Sequence, residues 1–228
     1  MKKISKRLQS LREIVKAKTY SMDNALLLLK KLATSKFDES IEAHISLNIN
    51  PKYANQQLRA CVFLPHGNGK RLRIAVLTNA DLVTEAMELG ASVAGDESLL
   101  EEISKKSIKF DVLLTSASQM PKLAKLGRVL GPKGLMPSST SGTVTENLKQ
   151  SIEEFKKGKL YYRADKTGIV HLCIGKSSFL TSQLKENILA LYASIEKNKP
   201  VGIKGNYLKS FYLCATMSPS IRIDFKKY

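Results

Sequence analysis

Apolar and polar positions alternate without a break from Ser40 to Asn50. Ile41, Ala43, Ile45, Leu47 and Ile49 fall on one side, and Glu42, His44, Ser46 and Asn48 on the other. This period of two predicts a strand with one buried and one wet face. Before it, the pattern is helical: a basic helix near Lys6 to Lys18, then a second with Ser21 as N-cap and Asp23 in its first turn, running to about Thr34. A second strand is expected from Leu58 to Leu64, ended by Pro65.

Between about Gly67 and Lys159 the pattern changes to strands and helices in alternation. Leu72–Thr78, Ala91–Ala94 and Phe110–Thr115 read as strands. Helices are expected at Leu82–Leu89, stopped by Gly90, from an Asp96 cap through Lys106, at Ser118–Leu126, and from a Thr145 cap to Gly158. Strands separated by helices of this length imply parallel pairing through crossovers, as in a small doubly wound sheet.

From Lys159 the antiparallel pattern returns. Leu160–Ala164 and Ile169–Ile174 flank Asp165-Lys166-Thr167-Gly168, a hairpin turn in which Gly168 is free to take positive φ. A helix from about Ser182 to Asn198 places Leu184, Ile188, Leu191 and Ile195 on one face, and strands near Tyr207–Thr216 and Ile221–Phe225 finish the chain. The expected fold is α/β in two domains. Residues 1–66 and 160–228 form an outer α+β sandwich with a mainly antiparallel sheet, and residues 67–159 form an inserted Rossmann-like, doubly wound α/β domain.

Charge supports the same division. The 228 residues carry 37 Lys and Arg against 20 Asp and Glu, a net +17. Residues 1–66 have 12 basic against 5 acidic side chains, 67–159 have 14 against 11, and 160–228 have 11 against 4. The two outer segments therefore hold most of the excess, which points to a polyanionic partner. No apolar run approaches the ~18–20 residues needed to span a bilayer, so no membrane partner is expected. The N-terminus has no apolar signal-peptide centre and is read as part of the mature protein.

Several chemistries find no support. Cys61, Cys173 and Cys214 sit singly in strand-like segments, and His44, His66 and His171 are equally scattered; these spacings build neither a zinc ribbon nor a redox motif, so no metal or cofactor is expected. His66-Gly67-Asn68-Gly69-Lys70 imitates part of a phosphate loop but lies before a strand, whereas a phosphate turn follows a strand and opens a helix. No serine stands in a nucleophile elbow. Asp165 and His171 can approach across the hairpin, as a turn carboxylate beside a strand histidine and not a catalytic pair. No enzymatic activity is expected.

Nucleic-acid binding remains. The connection Ser35-Lys36-Phe37-Asp38-Glu39-Ser40 places cations, hydroxyls and one aromatic together, the mixture that splayed RNA bases and the 2′-hydroxyl require. Its alternative is Phe37 as a hydrophobic plug with Asp38 and Glu39 as turn residues. Thr216-Met217-Ser218-Pro219-Ser220 is a small-residue turn that can lie flat against RNA, or serve only as a hairpin turn. Lys166 and Thr167 at the hairpin tip and Lys204 beside Gly205 are further candidate contacts, with a solvated lysine as the alternative for Lys204.

One run stands apart. Gly127–Pro137, GRVLGPKGLMP, combines Gly127, Gly131 and Gly134 with Pro132, Pro137 and the cations Arg128 and Lys133. Glycine and proline at this density predict a shaped loop and neither ordinary helix nor strand. It fits a tight connection with its apolar residues on a core, or an exposed loop offering cations and N–H groups to an anion.

GRVLGPKGLMP closely resembles the signature of the large-subunit ribosomal protein L-one family. TSKFDESIEAHISLNI, LPHGNGKRLRIAVLT, GTVTENL, YRADKTGIVHLCIGK and ATMSPS resemble the same family in order, covering nearly the whole chain. The resemblance implies the two-domain arrangement and a structural, non-catalytic protein that is a monomer within the ribosome, among other ribosomal components. It implies binding to large-subunit rRNA on a mobile stalk near the exit site for deacylated tRNA, and repression of its own mRNA through a mimic of that site. It assigns the principal RNA surface to Lys36, Phe37, Ser40, Thr216, Met217 and Ser218; most members have glycine where Ser218 stands. NPKYANQQLRA and ATMSPSIRID look most like plastid and cyanobacterial members, so a plastid ribosome is expected, with bacterial cytoplasm as the alternative.

Overall fold

A computed structural model describes residues 5–15, 18–105, 107–200, 202–203 and 205–225. In chain order its main elements are α1 (Lys6–Ile14), α2 (Met22–Leu32), β1 (Ser40–Leu47), β2 (Arg59–Phe63), β3 (Ile74–Leu77), α3 (Val83–Glu88), β4 (Val93–Gly95), α4 (Glu97–Ser104), β5 (Val112–Thr115), α5 (Met120–Ala124), α6 (Gly127–Leu130), α7 (Leu148–Lys157), β6 (Lys159–Arg163), β7 (Ile169–Lys176), α8 (Thr181–Lys197), β8 (Leu208–Ala215) and β9 (Ile221–Ile223). The chain divides into two compact units, Met1–Gly69 with Leu160–Tyr228, and Lys70–Lys159.

In the first unit an antiparallel sheet has the order β7-β1-β8-β9. The alternation along β1 is realised residue by residue: Ile41, Ala43, Ile45 and Leu47 are buried, while Ser40, Glu42, His44 and Ser46 are half-buried on the other face. α2 and α8 cover the apolar face, packing Leu26, Leu29, Leu184, Ile188 and Leu191 into one core with the strands. Burying such a side chain stabilises the unit by about 1.5–3 kcal/mol, which makes the register of β1 costly to shift, since a slip of one residue would turn its polar set inward.

β6 departs from expectation. It does not extend the hairpin with β7 but pairs with β2 in a separate two-stranded sheet. An isolated bridge, Ala164 to Val170, and the Asp165 N–H to Ile169 carbonyl bond close the turn. Side-chain patterning marks a strand without naming its partner, and the Leu58 carbonyl takes the Ala164 N–H instead.

The second unit is a parallel sheet of order β4-β3-β5. All of β3 is buried. Ala75 and Leu77 face a core built with Leu99, Ile103, Leu123 and Leu130. Ile74 and Val76 face another with Ala86, Ile152 and Phe155. Helices therefore lie on both faces, as a doubly wound sheet requires. One cap differs from expectation: α7 is capped by Asn147, whose side chain accepts the Gln150 N–H, and not by Thr145. Asp96 stands at the N-cap of α4 and Ser21 at that of α2, as expected, but neither side chain makes a cap bond, and Asp96 pairs instead with Lys122 at 2.9 Å.

Candidate nucleic-acid interface

Three connections meet at the end of the antiparallel sheet where β1 begins. Ser40 is paired with Lys176 of β7, and Ile41 with Ala215 of β8. The α2–β1 loop, the β8–β9 turn and the start of the β7–α8 connection are thereby brought together. Glu39 holds the first two in place. It is 1% exposed, and its carboxylate accepts the Ser35 N–H at 3.1 Å and the Met217 N–H at 3.0 Å. Burial pushes its pKa up, but the N–H groups of Met217 and Ser35 and the charge of Arg7 outweigh that and hold it below its usual range.

Arg7, on α1, adds a second tie by donating to Thr34 Oγ1 at 2.9 Å and to the Met217 carbonyl at 2.6 Å. Asp38 anchors the loop to the third connection. The Ser177 hydroxyl first, then the hydroxyl and N–H of Ser178, donate to it and keep it ionised below the usual carboxylate range. With their bases fixed this way, Lys36 is exposed, Phe37 is 54% exposed and Met217 is 50% exposed. Phe37 is thus no hydrophobic plug, and Asp38 and Glu39 do more than turn the chain.

The hydroxyls at this end are largely engaged within the protein. Thr216 Oγ1 accepts the Ser40 N–H at 3.0 Å and donates to the Ser40 carbonyl at 3.3 Å. One hydroxyl proton cannot also donate outward, so Thr216 retains a single lone pair for an external donor. Ser218 Oγ donates to the Leu32 carbonyl at 2.9 Å, closing the C-terminal end of α2. Ser40 Oγ accepts from Lys176 at 2.8 Å.

Lys166 and Thr167 lie elsewhere. Their turn adjoins the far end of β1, where the Leu47 N–H donates to the Gly168 carbonyl. At ~3.3 Å per residue the two ends of β1 are roughly 23 Å apart. Asp165 organises that turn: burial raises its pKa, but the Ile169 N–H, the hydroxyl and N–H of Thr167, and His171 bring it down to about 2. Lys204 lies outside the described residues.

The glycine-rich runs are structural within their units. Gly127–Leu130 forms one helical turn, contrary to the expectation of a loop free of helix, because Val129 and Leu130 can then join Leu126, Leu135 and Met136 on the core. Gly134 takes φ +70°, and Arg128, Gly131, Pro132, Lys133 and Gly134 remain exposed or half-buried while Pro137 is buried. The connection reading thus accounts for the apolar residues, and the cations still reach solvent. The loop at Gly67 is docked on α8 by Asn187, which donates to the Gly67 carbonyl and accepts the His66 N–H.

Residues 29–219 match the model of the Ribosomal protein L1p/L10e family. The large ribosomal subunit protein uL1c of Trieres chinensis is 55% identical over 225 residues, covering 98% of each chain. That of Guillardia theta is 52% identical, covering 100% of this chain and 97% of its own. The large ribosomal subunit protein uL1 of Prochlorococcus marinus (strain MIT 9215) is 52% identical, covering 98% of this chain and 95% of its own. These relatives are structural proteins of the ribosome and not enzymes. With a match that spans both units and both ends of the sheet, this chain belongs to the Ribosomal protein L1p/L10e family.

Proposed function

We propose that the chain binds large-subunit rRNA through the end of the antiparallel sheet where the α2–β1 loop meets the β8–β9 turn. The observation that carries this is the buried Glu39 bridge. It fixes two loops whose tips present a cation, an aromatic ring and a thioether to solvent, so little ordering remains to be done on binding. Lys36 would contact phosphate, while Phe37 and Met217 would pack against splayed bases or sugars. Ser40, Thr216 and Ser218 shape the surface through their bonds within the protein.

On this reading the chain belongs to a mobile stalk of the large subunit and aids release of deacylated tRNA there. A surface of this kind holds one RNA at a time. Free protein would therefore occupy a mimic in its own mRNA, and repress it, only when rRNA is saturated. The names uL1c in Trieres chinensis, Guillardia theta and Porphyra purpurea, with the uL1 of Prochlorococcus marinus, support placement on the plastid ribosome.

The test is titration of the full chain against a large-subunit rRNA fragment and an unrelated RNA of equal length, over a range of salt. Lys36→Ala should weaken binding to both RNAs and make the salt slope shallower by about one counterion. Phe37→Leu should reduce specific binding more than nonspecific. Equal affinity for the two RNAs, untouched by either substitution, would remove this surface from the function.

A further inference from the structure

Sheet register assembles on the polar face of the first unit a group of side chains that the chain order keeps apart. Glu42 and His44 belong to β1, and Cys214 to β8, directly across from Glu42. His44 Nε2 lies 3.0 Å from Cys214 Sγ and 3.8 Å from Glu42 Oε2. One ligand atom from each of the three residues falls within 4.8 Å of the others, and all three residues are half-buried. Around a tetrahedral ion with a metal–sulfur distance of ~2.3 Å and a metal–nitrogen distance of ~2.0 Å, those two atoms stand about 3.5 Å apart. Side-chain movement of about half an ångström would admit one.

The rest of the row determines which nitrogen of His44 is free. His171 faces His44 across the β1–β7 pair, Nδ1 to Nδ1 at 2.8 Å, and its own Nε2 lies 3.6 Å from Asp165 Oδ2. An ionised Asp165 favours the proton on His171 Nε2, which leaves His171 Nδ1 as an acceptor. His44 then donates from Nδ1 and keeps the Nε2 lone pair directed at Cys214. A carboxylate and a polar partner holding the second ring nitrogen are what orients metal-ligating histidines.

We propose that Glu42, His44 and Cys214 form a binding site for one borderline-soft divalent cation of the zinc class, with water completing the coordination. Sulfur, imidazole and carboxylate together suit such an ion better than magnesium or calcium. A cysteine thiol is mostly protonated at neutral pH. Binding forms a metal–sulfur bond, breaks the S–H bond and releases that proton to solvent.

Titration of the full chain with Co2+ at neutral pH, in a non-chelating reductant, tests this. The expected result is one ion per chain, a near-ultraviolet thiolate-to-metal charge-transfer band, one proton released per ion, and displacement by Zn2+. Cys214→Ser, checked by circular dichroism for native folding, should abolish both the band and the proton release. His171→Gln should retain the band but weaken affinity by about 10–100-fold. His66→Gln, which removes the separate His66–Glu186 pair, should change neither band nor stoichiometry. A wild-type chain without the band, or a band that survives unchanged in Cys214→Ser, overturns the proposal. Should Cys214→Ser misfold, His44→Gln serves in its place, and an unchanged band there overturns it equally.

Discussion

Replacing Glu39 by glutamine changes one atom in a side chain that is 1% exposed and probes the support of the sheet end proposed to bind RNA. The carboxylate receives two backbone N–H bonds, from Ser35 and Met217, one on each oxygen. An amide can keep one of them, now neutral and weaker, and must point an NH2 donor at the other N–H. Losing the charge from one bond costs about 1 kcal/mol, and leaving the opposing N–H unsatisfied costs a further ~1–3 kcal/mol, so a loss of about 3 kcal/mol is expected. At ~2–4 °C per kcal/mol for a chain of this size, the melting transition containing this unit should fall by roughly 6–12 °C.

The pH dependence carries a definite sign. Glu39 is held below its ordinary 4.5, so its contribution is present above about pH 4.5 and is lost as pH falls through the folded-state value. The gap between wild type and Glu39→Gln should narrow on acidification. Specific RNA affinity at a temperature where both are folded should also fall, because Phe37 and Met217 lose their common support. Thermal melts by circular dichroism from pH 7 to about pH 3, with RNA titrations at neutral pH, read both effects. A variant as stable as wild type at pH 7 would show that water or a shifted backbone replaces the bridge, and would refute the reasoning.

Three further outcomes are expected. Thr216→Val should lower stability by about 1 kcal/mol by unpairing the Ser40 N–H, with RNA affinity of the folded protein close to wild type; a large affinity loss without a change in melting would show that its remaining lone pair meets RNA. Met217→Ala, at a side chain 50% exposed, should leave thermal stability within about 0.5 kcal/mol while weakening specific RNA binding severalfold in titration. Asp165→Asn should destabilise the β6–β7 turn above about pH 4 and match wild type as pH approaches 2, since the Asp165 pKa sits at about 2; a pH-independent difference in melting temperature would contradict the role of its charge.

The parts of the fold written in local periodicity are legible in the chain alone. The alternation at Ile41 to Leu47 marks both faces of β1, and the helical spacing of Leu184, Ile188, Leu191 and Ile195 marks the buried side of α8. Pairing partners are not legible. β6 has the pattern of a hairpin strand, and its transfer to β2 depends on a strand about a hundred residues earlier. At the interface, Lys36, Phe37 and Met217 are identifiable by chemistry as exposed residues of two loops. The groups that hold them are not: Glu39 has the sequence setting of a turn residue, and Arg7 reaches Met217 across a sequence separation of 210. The hydroxyls mislead for the opposite reason. Thr216 and Ser218 have the chemistry of RNA contacts, but backbone groups of the protein reach them first. His44 and Cys214, 170 residues apart, become neighbours only through strand register.

Protein–RNA crosslinking of large ribosomal subunits carrying this chain, with the crosslinked peptides sequenced, tests the central claim most directly. Crosslinks to rRNA should concentrate at Phe37 and Met217 and in their flanking peptides, and should disappear from both in Glu39→Gln subunits. Crosslinks confined to Gly127–Pro137 or to the Lys166–Thr167 turn, with the sheet end at Ser40 unmarked, would contradict it.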